Sequence, residues 1–323
     1  MSGPGLIFAF LLDGSGGARR LSAEEAKSWQ AADGILWLHF DYSSPETVQW
    51  IENDEQLDEV SGESLLSEET RPRTATISDK LLLALRGVNL NPGSDPEDMV
   101  SLRLWADQHR IITTIRRNLL SVQDIADSFA QGAGPCSSSE FISDLAERLI
   151  IRMSSTVENI EDRLAGLEEE VLEINSPGIR PQLSSIRRES IVLRRYLAPQ
   201  REAMVRLYGE KISWLSENDQ FRLREITDEL IRYIEDLDSI RDRSTIIHEE
   251  LVSNISEQMN NRMYVLSLAA AIFLPLSFLT GLFGINLGGI PGADNQTAFT
   301  VFVLILVAIA IALFIVLKRK KWM

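Results

Sequence analysis

The sequence has few of the residues that build disulfides or tight metal cages. It contains one cysteine, Cys136, and three histidines, His39, His109 and His248, which lie far apart and form no HxxxH pair. A single cysteine excludes an intrachain disulfide and a cysteine-based zinc cage. A phosphate-binding loop, a nucleophile motif and a paired His–carboxylate site are also missing, so neither an enzyme nor a bound cofactor is predicted.

Positive charge is scarce as well. The formal net charge is -15, and no lysine or arginine occurs between Lys27 and Arg71, where acidic residues accumulate. Nucleic-acid binding needs stripes of lysine and arginine, so a nucleic-acid partner is not predicted. Two interpretations of the acidic stretch stay open. It is a solvated face that keeps the protein soluble, or its field concentrates cations near the mouth of an ion pathway.

Long apolar runs are absent until the last sixty residues, where two occur. Residues 263–283 and 298–317 are each about twenty residues long, match the thickness of a bilayer and contain no charged side chain. Arg262 precedes the first run, residues 318–321 (KRKK) follow the second, and the intervening residues 284–297 contain no lysine or arginine. The positive-inside rule then predicts a two-span membrane protein with both termini in the cytoplasm.

Residues 1–135 are typical of a mixed α/β domain. Short runs rich in Leu, Ile, Val and Trp, bounded by turn residues, predict strands at residues 6–12, 35–40, 81–90, 100–106 and 110–116. Helices are predicted at residues 22–31 and 45–54. The small-residue stretch GAGPCSSS at residues 132–139 marks the predicted domain boundary, between residues 135 and 136.

Residues 136–262 are predicted to be helical, with helices at residues 141–174 and 181–208 and a third that begins near Asp219 and continues into the first span. The third helix carries a heptad pattern. Leu223, Leu230, Leu237 and Leu251 share one heptad position, and Ile226, Tyr233, Ile240 and Ile247 lie three residues further on. The pattern predicts either packing across a helix–helix seam or an amphipathic helix against its own domain. Nearer the membrane the stripe becomes polar, at Asn254, Gln258 and Asn261.

The two spans differ in their polar content. The second has no polar residue after Thr300 and is predicted to face lipid, whereas the first contains Ser267, Ser277 and Thr280. These small and hydroxyl side chains fit a water-filled path, and they also fit ordinary helix packing. Two spans cannot enclose a channel, so a pore would require several copies of the chain.

A longer motif indicates a family. Residues 273–286 read FLPLSFLTGLFGIN and are followed by a short loop, one last span and a basic tail, which resembles the CorA superfamily of divalent-cation transporters. That superfamily is marked by Gly-Met-Asn at this point, and here Ile285 replaces the methionine. Together with LGGIPG at residues 287–292, ETRPR at 69–73 and RGVNLNPG at 86–93, the Gly-Ile-Asn motif is similar to the zinc-transporting ZntB branch.

The resemblance carries expectations about architecture. It implies an α/β/α sandwich in the cytoplasm, long stalk helices, two transmembrane helices, and a funnel-shaped homopentamer in the bacterial inner membrane. The expected divisions are residues 1–135 (α/β domain), 136–262 (stalk), 263–283 (first span), 284–297 (periplasmic loop), 298–317 (second span) and 318–323 (basic tail).

The resemblance also implies a site. Gly284, Ile285 and Asn286 would form the outer entrance, and Asp294 would attract cations there, unless it only solvates a turn. The pore-lining residues would be Asn260, Met263, Leu266, Leu274 and Ser277. Zinc uptake is the implied activity, with proton coupling left open. Magnesium or cobalt transport is the alternative, nickel and cadmium are further candidate substrates, and a non-conducting membrane-tethered sensor or scaffold is the remaining hypothesis.

Overall fold

The computed structural model describes residues 5–68, 71–172, 178–284 and 297–319. The chain divides into two compact units, Met1–His248 (unit 1) and Glu249–Met323 (unit 2). The strands are β1 Leu6–Leu12, β2 Ala18–Leu21, β3 Ile35–Asp41, β4 Arg73–Ile77, β5 Lys80–Gly87, β6 Val100–Ala106 and β7 Arg110–Ile115. The α-helices are α1 Ala23–Lys27, α2 Pro45–Glu52, α3 Glu59–Leu66, α4 Leu120–Ala130, α5 Ser138–Leu172, α6 Ile179–Gly209, α7 Glu217–Phe283 and α8 Ala298–Arg319.

The strands of unit 1 form one seven-stranded sheet in the order β2-β1-β3-β7-β6-β5-β4. β3 and β7 are parallel, with Leu38 opposite Ile112, and the other neighbouring strands are antiparallel. The chain therefore leaves β3, crosses to the far edge at β4, and returns strand by strand to β7 beside β3. This crossover places the carboxyl ends of two parallel strands next to each other near the middle of the sheet.

Helices cover both faces of the sheet. On one face, Leu38 and Trp105 belong to a core that includes Ala26 of α1, Ile51 of α2 and Leu65 of α3. On the other face, Trp37 packs against aromatic side chains of α4 and α5. Its ring centroid lies 6.1 Å from that of Phe129 in α4 and 4.8 Å from that of Phe141 in α5. α6 joins this second layer, where the carbonyl of Ala203 accepts a hydrogen bond from the Thr74 hydroxyl at 2.7 Å. The predicted α/β/α sandwich is confirmed.

The predicted strands are all present, with ends that differ by a few residues. Two further strands, β2 and β4, and two helices, α3 and α4, were not predicted from the sequence. α5 begins at Ser138, close to the predicted boundary between residues 135 and 136. As a domain boundary that position remains a prediction.

The heptad face of α7 is buried within unit 1. Leu223 and Leu230 are 0% exposed and Leu237 is 1% exposed, and Ile226, Ile240 and Ile247 are buried with them. Beside this face, two arginines of α7 form ion pairs with α5: Arg222 with Asp144, and Arg243 with Glu168. The pattern over this part of α7 is therefore that of an amphipathic helix packed against its own domain, which was one of the two alternatives.

Candidate functional site

Two helices in the described part of the chain are long and apolar enough to cross a membrane, α7 in its C-terminal part and α8 from Ala298 to Val316. The most apolar window of each contains no residue buried inside the structure. Leu266 of α7 and Phe299 of α8 are 70% and 77% exposed. Apolar surface of this extent on two neighbouring helices fits a lipid environment rather than water.

The C-terminal part of α7 and α8 pack on each other, each through one face. In α7 the half-buried residues between 268 and 279 recur at helical spacing, and in α8 they recur likewise from Phe302 to Leu313. Phe283 and Phe302 touch, with ring centroids 5.0 Å apart. At 100° per residue the half-buried α7 residues occupy one arc, centred near Ile272. The members of this arc are Leu268, Ala269, Ile272, Pro275, Leu276 and Leu279.

The residues predicted to line a pore lie on the opposite side of α7. At 100° per residue they fall within an arc of about 120°, centred about 180° away from the half-buried arc. All are exposed, and Leu274 reaches 76%. The five residues are Asn260, Met263, Leu266, Leu274 and Ser277. The structure thus brings them together on a single face that points away from α8, and their role as pore-lining residues stays a prediction.

Four further residues of the first span share this face and lie outside the five residues named as pore-lining. Ser267, Ala270, Phe278 and Gly281 fall within the same arc, and all four are exposed. Their spacing of three or four residues from the predicted set was the signal in the sequence. By contrast, the Thr280 hydroxyl lies off the arc and donates to the carbonyl of Ser277 at 3.0 Å, so it is satisfied within its own helix.

α7 ends immediately before Gly284. The amide of Gly284 donates to the carbonyl of Thr280 at 2.9 Å, and a Cβ on Gly284 would lie only 2.9 Å from the same carbonyl oxygen. Close backbone approach therefore favours glycine at the helix end. Ile285, Asn286 and Asp294, the remaining predicted entrance residues, lie outside the described residues.

The polar groups on this face are weak ligands. Within the ranges that the structure describes, no three or more His, Cys, Asp or Glu side chains come together in a group that could hold a metal ion. The candidate path offers the Asn260 amide, the hydroxyls of Ser267 and Ser277, and apolar surface. Such groups can contact a hydrated cation through its water shell but do not replace that shell.

The acidic stretch of unit 1 has both structural and exposed members. Asp54 forms a buried ion pair with Arg110, and Asp58 caps α3 by accepting from the Ser61 amide at 2.9 Å. The Ser61 amide and hydroxyl lower the pKa of Asp58, so this cap is ionised at neutral pH. Glu55 and Glu63 are exposed. Both interpretations of the stretch, solvation and cation attraction, therefore remain open for its exposed members.

A sheet-and-helix unit followed by two helices apolar enough to cross a membrane defines the class of membrane-anchored proteins. Comparison with known proteins agrees with this class. A family described as CorA-like Mg2+ transporter protein matches residues 32–319, and the chain belongs to that family. The assignment to a non-enzymatic transporter family, made from the sequence motifs, is thereby confirmed.

Individual relatives match along the whole chain. Zinc transport protein ZntB of Yersinia pseudotuberculosis is 37% identical over 317 residues, which are 98% of this chain and 96% of the relative. Divalent cation transporter CmaX of Pseudomonas aeruginosa is 41% identical over 323 residues, 99% of this chain and 97% of the relative. A solved structure of full-length CmaX superposes with a TM-score of 0.88 at 40% identity, covering 99% of this chain and 98% of that one.

Proposed function

We propose that the chain transports divalent cations across a membrane and that zinc is its physiological substrate. Two full-length relatives support this: one is named a zinc transport protein, and the other is named a divalent cation transporter. Ile285 within Gly-Ile-Asn and the flanking LGGIPG sequence favour the zinc branch of the superfamily. Zinc is the transported cargo here, and no resident cofactor is invoked.

The observation that carries the proposal is the exposed face of α7 opposite α8. A single α7–α8 pair encloses nothing, so a path along this face requires further copies of the chain. Several copies arranged around an axis would direct Asn260, Met263, Leu266, Leu274 and Ser277 into one central path, and we propose a homopentamer with a cytoplasmic funnel. The aliphatic residues would form constrictions that close by excluding water.

The entrance would be built by the Gly284-Ile285-Asn286 turn. Divalent ions lose their water reluctantly, so a ring of Asn286 amides and backbone carbonyls is suited to holding the hydrated ion through its outer shell. Ile285 would pack the turn, and Asp294 would attract cations to the outer side. In this arrangement, selection among divalent ions depends on hydration and pore width more than on direct ligands.

The proposed topology follows the distribution of charge. Both termini would lie in the cytoplasm of a bacterial cell and the chain would sit in the inner membrane, because Arg262 and the basic residues from Lys318 on flank the two spans. The divisions proposed at residues 135/136, 262/263, 283/284, 297/298 and 317/318 then separate the α/β domain, stalk, first span, loop, second span and tail. Direction of flux would be inward.

Flux into proteoliposomes tests the proposal. The purified chain is expected to take up Zn2+ faster than Mg2+ or Co2+, and an imposed pH gradient shows whether protons are coupled. Asn286→Ala should abolish flux while the oligomer keeps its size on a sizing column. Asn261→Ala is the matched control, because Asn261 is an exposed asparagine of α7 that lies off the pore-side arc.

A magnesium or cobalt channel is the second candidate. It is favoured by the description of the matching family as a Mg2+ transporter. Strong Mg2+ flux with negligible Zn2+ flux would establish it and exclude zinc as the substrate. Unchanged flux in Asn286→Ala, or no flux of any divalent ion from a correctly sized oligomer, would instead favour the non-conducting sensor or scaffold.

A further inference from the structure

Two neighbouring helices of unit 1, α5 and α6, carry opposite charge. α5 contains nine acidic residues and three arginines, whereas α6 contains seven arginines and two glutamates. In a chain of formal net charge -15, α6 is thus a basic element beside an acidic one. Within the described ranges, the ion pair between the two helices is that of Arg163 with Glu189, at 2.7 Å. The two sets of charge are therefore largely not paired with each other inside one chain.

The outward side of α5 is acidic. Glu158, Asp162 and Glu169 are exposed and form no ion pair with any described residue. At 100° per residue they fall within about 40° of one another, on the side of the helix opposite the buried Met153. Ile151, which is 53% exposed, lies on the same arc. These four exposed residues are the acidic face of α5.

The outward side of α6 is basic. Arg180, Arg187, Arg188 and Arg195 are exposed and form no ion pair with any described residue. They fall within an arc of about 100°, on the side of the helix opposite the buried Leu193. Together they are the basic face of α6. The guanidinium fork matches the geometry of a carboxylate, so a face of such arginines favours an acidic protein surface as its partner.

The ion pair between the helices fixes their relative height. Arg163 lies nine residues before the end of α5, and Glu189 lies ten residues after the start of α6, so the two helices run antiparallel. Residue 163 is level with residue 189, and each residue further along α5 is level with one residue earlier in α6. A rotation about an axis parallel to these helices keeps every residue at its own height, so the same scale applies between copies in a ring.

On this scale the two charged faces are complementary. Three pairs of opposite charge lie within one helical turn of the same height, with offsets of one to three residues, or at most about 4.5 Å. The pairs are Arg195 with Glu158, Arg188 with Asp162, and Arg180 with Glu169. Within one chain these partners lie on the outward sides of their own helices, so another copy is needed to bring them together.

The apolar residues of the two outward sides match as well. Ile151 of α5 is level with residue 201 of α6, between Ala198 and Val205, and Val205 is 40% exposed. Ala165 and Gly166 are level with the central part of the basic face, and both are exposed. Small residues at this point permit a second helix to approach closely. Contact between the faces would therefore cover exposed aliphatic side chains in addition to pairing charges.

We propose that the basic face of α6 in one copy docks on the acidic face of α5 in the next copy. Each chain then uses two different surfaces, and a head-to-tail contact of this kind closes into a ring when the rotation permits. The interface rests on the homo-oligomer proposed above and adds the surfaces that join its copies. It does not depend on which ion is transported. Charge pairs at the rim mainly set the orientation and the choice of partner.

Crosslinking between differently tagged chains tests the contact. Both chains carry Cys136→Ser, so the introduced cysteines are the only ones. One chain carries Ile151→Cys and the other Val205→Cys; they are co-expressed, purified in detergent through both tags and treated with a short bismaleimide. A covalent dimer that contains both tags is expected. Val60→Cys, at an exposed valine of α3, replaces Val205→Cys in the matched control and should give little dimer.

Charge reversal shows whether the charged faces hold this contact. Arg187→Glu with Arg188→Glu, placed in the chain that has the α6 cysteine, should lower the yield of mixed dimer at least about tenfold, because like charges then face each other. Adding Asp162→Arg and Glu169→Arg to the chain that has the α5 cysteine should restore the yield, since the pairs form again with opposite sign. A purely structural defect in α6 would not be rescued in this way.

The matched control applies the same change of charge outside α6. Arg116→Glu with Arg224→Glu alters two exposed arginines and should leave the yield of mixed dimer unchanged. An equal loss in this control and in the α6 reversal would overturn the proposed interface. So would a failure of the reversed α5 charges to restore crosslinking.

The size of the protein separates this interface from the proposed function. An oligomer of the expected size on a sizing column that gives no mixed dimer overturns the interface and leaves the proposed homopentamer standing. A monomer overturns both. Equally strong crosslinking between two chains that both carry Ile151→Cys would show a symmetrical contact through α5, which also contradicts the head-to-tail arrangement.

Discussion

The two parts of α7 have similar repeats of apolar residues, but the repeat is buried in one part and exposed in the other. In the part that belongs to unit 1, Leu223, Leu230 and Leu237 are fully buried. In the part that belongs to unit 2, Met263, Leu266 and Leu274 are 63–76% exposed. The first set is covered by its own chain, whereas within unit 2 the second set lies on the side away from α8. Apolar spacing alone therefore does not say whether a helix face is covered by the same chain, by another copy or by lipid.

The polar contacts differ in the same direction. In unit 1 the flank of α7 is tied to α5 by ion pairs and to Ser139 and Ser143 through Asp219. In the C-terminal, apolar part of α7, the Thr280 hydroxyl donates to the carbonyl of Ser277 within the same helix. A helix face with no fixed polar partners is free to meet a hydrated ion, which is what the proposed pathway requires.

The largest expected effect is on the buried part of α7. Leu230→Ala should lower the free energy of unfolding of unit 1 by about 3 kcal/mol, because it removes a fully buried side chain and leaves a cavity. Hydrogen exchange of α5 and α7 amides in the full-length chain measures this. Normal protection in the variant would show that the heptad face is not a packed core.

A somewhat smaller effect is expected at Asp219, which accepts hydrogen bonds from the hydroxyls of Ser139, Ser143 and Ser216. Burial raises the pKa of Asp219, but the three serine hydroxyls outweigh it and the pKa lies below its ordinary value of 3.8. The ionised form therefore stabilises unit 1 above that value, and the stability is lost as pH falls through the lower folded pKa.

Asp219→Asn should accordingly cost about 1–3 kcal/mol at neutral pH and flatten the loss of stability below about pH 4. Unfolding followed by circular dichroism between about pH 2 and pH 7, a range that spans the ordinary carboxyl pKa values, measures the cost at neutral pH and the loss of stability in acid. Asp242→Asn is the control, because Asp242 is an exposed carboxylate of the same helix. An equal change in acid sensitivity in both variants would contradict the assignment.

Arg243→Gln should have a still smaller effect. Arg243 pairs with Glu168 at 2.6 Å and Glu161 at 3.3 Å, but its side chain is 33% exposed. A partly solvated pair contributes about 0–1 kcal/mol, and salt at about 1 M should remove most of it. Denaturant unfolding at low and high salt measures the difference, with Arg224→Gln, at an exposed arginine of the same helix, as control. A loss well above 1 kcal/mol that is insensitive to salt would mean that the pair is effectively buried.

The smallest effect on stability is expected at Leu274, which lies in the exposed part of α7. Leu274→Ala should change the unfolding of unit 1 by less than about 0.5 kcal/mol, since the side chain is 76% exposed. Divalent-cation flux should nevertheless change, because the substitution widens a proposed constriction. Leu304→Ala on the exposed side of α8 is the matched control and should leave flux unaltered. Equal flux changes in both variants would place Leu274 toward lipid.

Much of unit 1 could be predicted from local pattern. β1 is a continuous apolar run between turn residues, β6 is mostly apolar apart from Ser101 and Arg103, and both ends of each were predicted correctly. β2 and β4 were missed because they are short edge strands with charged residues, among them Arg19 and Arg73. α4 was missed because Leu119 at its N-cap provides no side-chain cap. α3 was missed because Ser61, Gly62 and Ser64 make up three of its eight residues and weaken its helical signal.

The candidate pathway was predictable in its residues but not in its direction. Helical spacing puts Asn260, Met263 and Ser277 on one arc whatever their environment. Which arc meets α8 depends on how two apolar helices pack, and the sequence of α8 is apolar on every side. The contacts between β3 and β7 were unpredictable for a different reason: Trp37 donates to the Thr113 hydroxyl across 76 positions of the chain.

The sequence by itself determined the class of this protein. Twenty-residue apolar runs, their flanking charges and the Gly-Ile-Asn motif are local features, and membrane insertion depends on composition along one segment. Only the tertiary structure decided which repeat of α7 is covered by its own domain, which face of the first span points away from α8, and which side chains meet at the carboxyl edge of β3 and β7. Those outcomes depend on contacts between distant segments, and a local pattern does not specify its partner.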